Sequence, residues 1–322
     1  MLKYIFKRLL MLIPIIIGIS FLIYFVMSLS PGDPARIILG EYATQEAVDE
    51  LREEMGLNDS IIVQYTRYMI HAFKGDLGTS YQTKQPVIKE ILERFPATLK
   101  LACGAVLIAV VFGVPIGIVS AVKQYSWIDN VSMVVSMILT SMPGFWYGLM
   151  LMIIFSLKLR WFPSSGSASF AHYVLPCITL SCNTFALMIR TTRSTMLEEI
   201  RQDYVRTAKA KGAKSLRIII HHSLRNALLP VVTVAGMQLG ILLGGAVVIE
   251  SVFSISGIGT YVVNAVKLKD TPCVTAAIMF IAVVGGLVNL LVDILYTYID
   301  PRLKSRYVSP KIVRETAQKG VA

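Results

Sequence analysis

The stretch "YVRTAKAKGAKSLRIIIHHSLRNALLP", Tyr204 to Pro230, lies between two long apolar segments, and its reading decides the fold. It holds six Lys and Arg, no Asp or Glu, one interior glycine and two adjacent histidines. Four readings compete for such a stretch: a phosphate loop, a metal site, a patch for nucleic acid or lipid headgroups, and a basic loop left at one membrane face. The segments around it narrow the choice.

The chain has 322 residues, is 55% hydrophobic and 16% charged, and has a mean hydropathy of +0.64. Soluble domains carry about 25% charged residues and lack apolar runs of membrane length. The chain is therefore read as an all-α integral membrane protein. Six segments are long enough to cross about 30 Å of hydrocarbon: Leu9–Leu29, Thr98–Ala121, Val131–Leu157, Tyr173–Ile189, Leu228–Ile249 and Val274–Tyr296. Each should be a helix, because a backbone in lipid must satisfy its own hydrogen bonds. The first follows a charged start, "MLKYIFKR", but its apolar core is too long for a signal peptide and it is read as an uncleaved anchor. Cys103, Cys177, Cys182 and Cys273 lie in or beside apolar runs without metal-type spacing and read as small packing residues.

Basic residues near the span ends set the expected orientation. Nineteen of the 31 Lys and Arg fall on one side, nine of them between Arg190 and Arg225. That side is predicted to be cytoplasmic and to hold both termini. The long segment 30–97 on the other side has seven basic and eleven acidic residues. The chain thus divides into an N-terminal anchor with the first span (1–29), an external cap (30–97), a transmembrane core (98–300) with a cytoplasmic loop at 190–230, and a tail (301–322). Within the cap, Thr44 is a plausible N-cap for a helix with Val48, Leu51 and Met55 on one face and Gly56 as its stop. Ile61–Ala72 reads as a second amphipathic helix. Pro86 is expected to open a short helix that leads to Pro96 and the second span.

Glycines recur every four residues at Gly236, Gly240 and Gly244 in the fifth span, with Gly113 and Gly117 in the second. Such strips let helix backbones approach closely, either within one chain or against a second subunit along a shared pathway. Asp293 is the one acid well inside a span, and Arg190 and Arg193, expected at the same depth, are its candidate partners. Few polar residues lie at mid-membrane, which weakens the reading as an ion-coupled secondary transporter.

The basic loop can now be sorted. "KGAKS" lacks the contiguous Gly-Lys-Ser/Thr of a phosphate loop, since Ala213 separates Gly212 from Lys214. His221 and His222, neighbours on a helix, point about 100° apart and cannot chelate one ion together. Headgroup or nucleic-acid binding would need only charge, yet the pattern has more structure than that. Leu197, Ile200, Tyr204 and Ala208 form one helical stripe, Leu216, Ile220, Leu224 and Ala227 a second, and Gly212 breaks the two. The result is a helix–turn–helix with a tip of small and basic residues, shaped to enter a cleft on another protein.

"RTAKAKG" followed after twelve residues by "RNALLP" resembles the EAA loop of permease subunits in binding-protein-dependent ABC importers. Arg206-Thr207-Ala208 stands where that loop has Glu-Ala-Ala. "SPGDPA", "GDLGTS", "RFPATLKLA", "TRSTMLEEIRQDYVRTAKAKG" and "NLLVDILYTYIDPR" extend the likeness along the chain, to the first of the two permeases of the peptide/nickel branch. Two departures lie in the last outer loop, where Ile255-Ser256 precedes Gly257-Ile258-Gly259 in place of Trp-Pro, and Asp270-Thr271-Pro272 replaces Asp-Tyr-Pro.

The resemblance implies a type I ABC importer permease fold with six transmembrane helices in the bacterial cytoplasmic membrane. It implies import of di- or oligopeptides, with nickel, a metal chelate or a glutathione-like solute as the alternative. The implied partners are a second homologous permease, two cytoplasmic ATPases, an external solute-binding protein and membrane lipid, with no nucleic acid. ATP and magnesium would sit on the ATPases, and this chain would bind no cofactor or metal and hold no catalytic residue. The loop residues implied in coupling are Tyr204, Arg206, Thr207, Ala208, Lys209, Ala210, Lys211, Gly212, Lys214, Arg225 and Pro230. Gly236, Gln238, Gly240, Gly244, Asn183 and Asp293 are the candidates for packing or for lining the pathway.

Overall fold

A computed structural model describes residues 2–40 and 42–299. It is helical throughout, with no strand among the described residues. Helix α1 (Leu2–Leu29) is followed by the cap helices α2 (Pro34–Leu39), α3 (Gln45–Glu54) and α4 (Ile61–Phe73). Then come α5 (Val87–Val122), α6 (Trp127–Ser141), α7 (Gly144–Leu151), α8 (Ala171–Ile200), α9 (Asp203–Ala210), α10 (Ser215–Arg217), α11 (Arg225–Gly245), α12 (Val247–Val252), α13 (Ile258–Lys267) and α14 (Thr271–Ile299). Among the described residues five helices are long and apolar enough to cross a membrane, six if the bent pair from Trp127 to Lys158 counts as one span.

The scaffold is the α5–α8 pair. A Cβ added at Gly113 would stand 2.9 Å from Met188 Cβ, and one at Gly117 only 2.7 Å from Thr192 Cβ. Absence of side chains therefore brings the two backbones together. Gly236 does the same between α11 and α14, where a Cβ would meet Val292 Cγ2 at 2.1 Å. Gly240 and Gly244 face Asn289 and Ile281 of α14 at looser distances of 3.8 and 3.6 Å. Gly236 thus serves packing inside this chain, while Gly244 is exposed.

The two helices expected within segment 30–97 form, as α3 and α4. The Thr44 hydroxyl accepts the Ala47 N–H at 3.4 Å, and Val48 is fully buried. Helix α4 lies on α1, with Tyr65 donating to the Ile17 carbonyl at 3.0 Å and Met69 buried. The short helix expected between Pro86 and Pro96 is instead the start of α5, which runs unbroken for 36 residues. Val87 and Ile91 are fully buried against α13 and α14. That anchoring carries the helix through Pro96, which removes only one backbone bond.

Three other expectations need correction. The third span is two helices bent by 101°, not one rod. Met142 is extended (φ −101°, ψ 143°) because a residue before proline is pushed out of the α region, and Pro143 starts α7. Beyond α7 the chain winds as a π-helix over Met152–Lys158. Asp293 pairs with Arg8 of α1 at 2.9 Å, rather than with Arg190 or Arg193. Arg193 instead holds Asp129 through two bonds of 2.6 and 2.8 Å. Among the cysteines, Cys177 and Cys273 are buried, but Cys103 is exposed on α5. The tail 301–322 lies outside the described residues.

Candidate coupling site

Helix α8 runs on past its apolar part to Ile200, and the chain then turns at Arg201 and Gln202. Gln202 is extended and caps α9, with Asp203 in its first turn and Lys209 in its last, the charge order a helix dipole favours. The stripe expected from Leu197 to Ala208 is therefore broken at residues 201–202. Val205 is the buried residue of α9; Arg206, Thr207, Lys209 and Ala210 are exposed, and Ala208 is half-buried.

The tip closes in a Schellman motif. Ala213 N–H donates to the Ala208 carbonyl at 3.2 Å and Gly212 N–H to the Lys209 carbonyl at 3.0 Å. This geometry needs a left-handed residue after the helix, and Gly212 has φ +77°. No atom lies within 4 Å of where its Cβ would be. Glycine is required here by the backbone, and the space beside it is open. Lys211, Gly212 and Lys214 are exposed. Arg206 pairs only loosely with Asp203, at 3.6 Å between two well-exposed side chains.

The return strand of the hairpin differs from the second predicted stripe. After α10 the chain is π-helical over Ile218–Leu224 and passes without a break into α11, so Pro230 lies inside a helix. The wider i→i+5 turn changes which side chains point inward. Ile218, Ser223 and Ala227 are buried, whereas Leu216 and Ile220 of the expected stripe are 69% and 53% exposed. His221 and His222 stand edge to face, with ring centroids 6.0 Å apart and planes at 83°.

Tyr204 turns back from the tip and joins three elements. Its hydroxyl donates to the Glu199 carboxylate at the end of α8. It accepts the Asn226 side-chain N–H of α11 at 3.0 Å and lies 3.3 Å from the His222 carbonyl. Asn226 also reaches Glu199 at 3.5 Å. Burial, reinforced by the Glu199 carboxylate, pushes the Tyr204 phenol up from its ordinary pKa. Sequence reasoning named Tyr204 but missed Glu199 and Asn226, which lie outside the basic tip on either side of it. It also missed Asp129, which is buried and takes bonds from Arg193, Ser120 Oγ and Tyr125 N–H at the adjoining ends of α5, α6 and α8.

The other candidates are elsewhere. Arg225 and Pro230 are exposed on α11, behind the tip. Gln238 of α11 donates to Thr184 Oγ1 of α8 at 3.2 Å, and its neighbour Asn183 is exposed on α8. Gly236, Gly240, Gly244 and Asp293 belong to the α11–α14 and α1–α14 contacts.

Residues 113–305 match the family described as the binding-protein-dependent transport system inner membrane component, and residues 1–102 match its N-terminal companion. The chain belongs to this family of importer permeases. Among curated relatives, the permease is 42% identical over 332 residues to the dipeptide transport system permease protein DppB of Alkalihalophilus pseudofirmus, covering 94% of this chain and 100% of that one. It is 40% identical over 304 residues to the glutathione transport system permease protein GsiC of Escherichia coli K12, covering 94% and 99%. Its fold is shared with a chain of the MetNI methionine ABC transporter in an inward-facing conformation, with a TM-score of 0.56 at 16% identity, over 66% of the permease and 97% of that chain. The permease is thus a multi-pass inner-membrane transport subunit of type I importer fold that works with other subunits.

Proposed function

We propose that this permease imports di- or oligopeptides, forming the translocation pathway with a second, homologous permease. Two cytoplasmic ATPases supply the energy and hold the ATP and magnesium, and an external binding protein delivers the solute to the cap face. Ala208–Lys214 is the element seated in a groove of one ATPase, and both termini share its side of the membrane. The observation that carries this reading is the tip itself. A Schellman turn closes a short helix whose outer residues are small or basic and exposed, and the space beside Gly212 is open.

ATP-driven closure of the ATPases would displace the tip, and the continuous helix from Ser215 through α11 would carry that displacement into the membrane. ATP shifts such a two-state equilibrium only by its differential affinity for the two states. The likeness to GsiC supports a second solute, glutathione or a similar short peptide, with the same architecture. The like pattern in the nickel branch makes nickel or a chelate a further outcome of the solute test.

Gly212→Trp tests the docking. It should leave the chain in the membrane while co-purification of ATPase subunits and ATP-dependent uptake of a radiolabelled dipeptide are both lost. Normal uptake by this variant would show that the tip is not the coupling element. Uptake by vesicles without ATP would place the chain among ion-coupled carriers instead.

A further inference from the structure

We propose that the Tyr204 phenol, with Glu199 and Asn226, is the tie through which displacement of the tip reaches the membrane spans. This rests on the coupling reading above and adds to it the residues that transmit. Helix α9 has a single buried side chain, Val205, and is separated from α8 by the turn at Arg201–Gln202. On the other side, Gly212 and the turn after it separate it from α10. Turns at both ends interrupt the helical ladder, so without a further tie the short helix would be free to pivot without moving either span. Tyr204 removes that freedom, because one hydroxyl bonds the end of α8 and the start of α11 together.

The chemistry suits a rigid connection. A tyrosine has few rotatable bonds, so it holds its oxygen at a fixed distance from α9. Its bond to Glu199 is charge-assisted, and the Asn226 amide reaches both other members, closing a triangle rather than a chain. The group lies beside the π-helical turn, with the phenol oxygen 3.3 Å from the His222 carbonyl within it. Tyr204 borders the same cavity as Ala208, Lys211 and Gly212 of the tip, while its hydroxyl is engaged by Glu199 and Asn226, so the tie is a positioning device.

The test uses the complete importer in nanodiscs: this chain, its second permease, both ATPases and the purified binding protein. Stimulation of ATP hydrolysis by the binding protein requires a signal to pass between the outer face and the ATPases, so it reports transmission without knowledge of the solute. Tyr204→Phe should retain ATPase subunits through purification, while the stimulated increment falls about ten-fold, the scale of a charge-assisted hydrogen bond. Asn226→Ala should fall likewise, and the double variant should be no worse than either single one, because both break one unit. Normal stimulation in Tyr204→Phe overturns the proposal, as does multiplicative loss in the double variant or a loss that only tracks dissociation of the ATPases. Gly212→Trp, run beside them, separates the two readings. If it is normal, the coupling site falls; if it fails while Tyr204→Phe is normal, only the tie falls.

Discussion

Gly257 and Gly259 have no room for a side chain because the Glu250 carboxylate fills it. A Cβ on Gly257 would lie 2.1 Å from Glu250 Oε1, and one on Gly259 2.7 Å from Val247 Cα. Glu250 is fully buried and accepts from Thr98 Oγ1 at 2.6 Å and the Thr260 N–H at 2.9 Å, while Thr98 accepts the Ile258 N–H at 2.9 Å. These bonds staple α12 and α13 to α5. Gly257→Ala should therefore cost about 1–3 kcal/mol, the usual cost of overpacking, measured as a lower melting temperature of the detergent-purified chain. At the opposite end, Arg193→Ala strands the buried Asp129 carboxylate and should cost about 3–5 kcal/mol by the same measurement. Arg193→Lys should recover little, since an ammonium cannot reproduce the two-bonded fork.

At the scale of elements, the π-helical turn at Ile218–Leu224 sets the register between the tip and α11. The sequence pattern cannot show it, because "LRIIIHHSLRNALLP" offers apolar residues at both helical and i+5 spacing. Tertiary contact chooses Ile218, Ser223 and Ala227 over Leu216 and Ile220. Deleting Ile220 would rotate the hairpin by about 100°, one residue of a helix, and separate Tyr204 from Asn226. The expected result is a chain that inserts and folds but no longer stimulates ATP hydrolysis with its binding protein. The bend after α6 was legible in principle, since Met142-Pro143 is a dipeptide that ends helices. The long apolar run around it concealed the break.

For the molecule as a whole, the exposed surface divides by chemistry. Exposed side chains of α1 and the middle of α5, such as Leu22, Leu107 and Phe112, are apolar and suit lipid. Asn183 is exposed on α8, where an amide facing hydrocarbon would cost several kcal/mol (about 2–7). It should face water or a partner chain. With Cys103 and Cys182 replaced by serine, Asn183→Cys should react with a water-soluble maleimide in membranes, and Leu107→Cys should not.

By itself the sequence determined that the chain crosses a membrane, which apolar runs are long enough to do so, and that a helical hairpin with a basic tip lies between two of them. Apolar run length, charge placement and the Gly212 turn are local properties, and each leaves its mark in consecutive residues. Only the tertiary structure decided that Gly236 packs on α14, that Asp293 pairs with Arg8 and Asp129 with Arg193, and that Tyr204 meets Glu199 and Asn226. Arg193 and Asp129 are 64 positions apart, so nothing in the pattern near either one names its partner. In a membrane, hydrophobicity places helices in the bilayer but does not say which faces meet. That choice is made by close packing and by polar groups that must find one another.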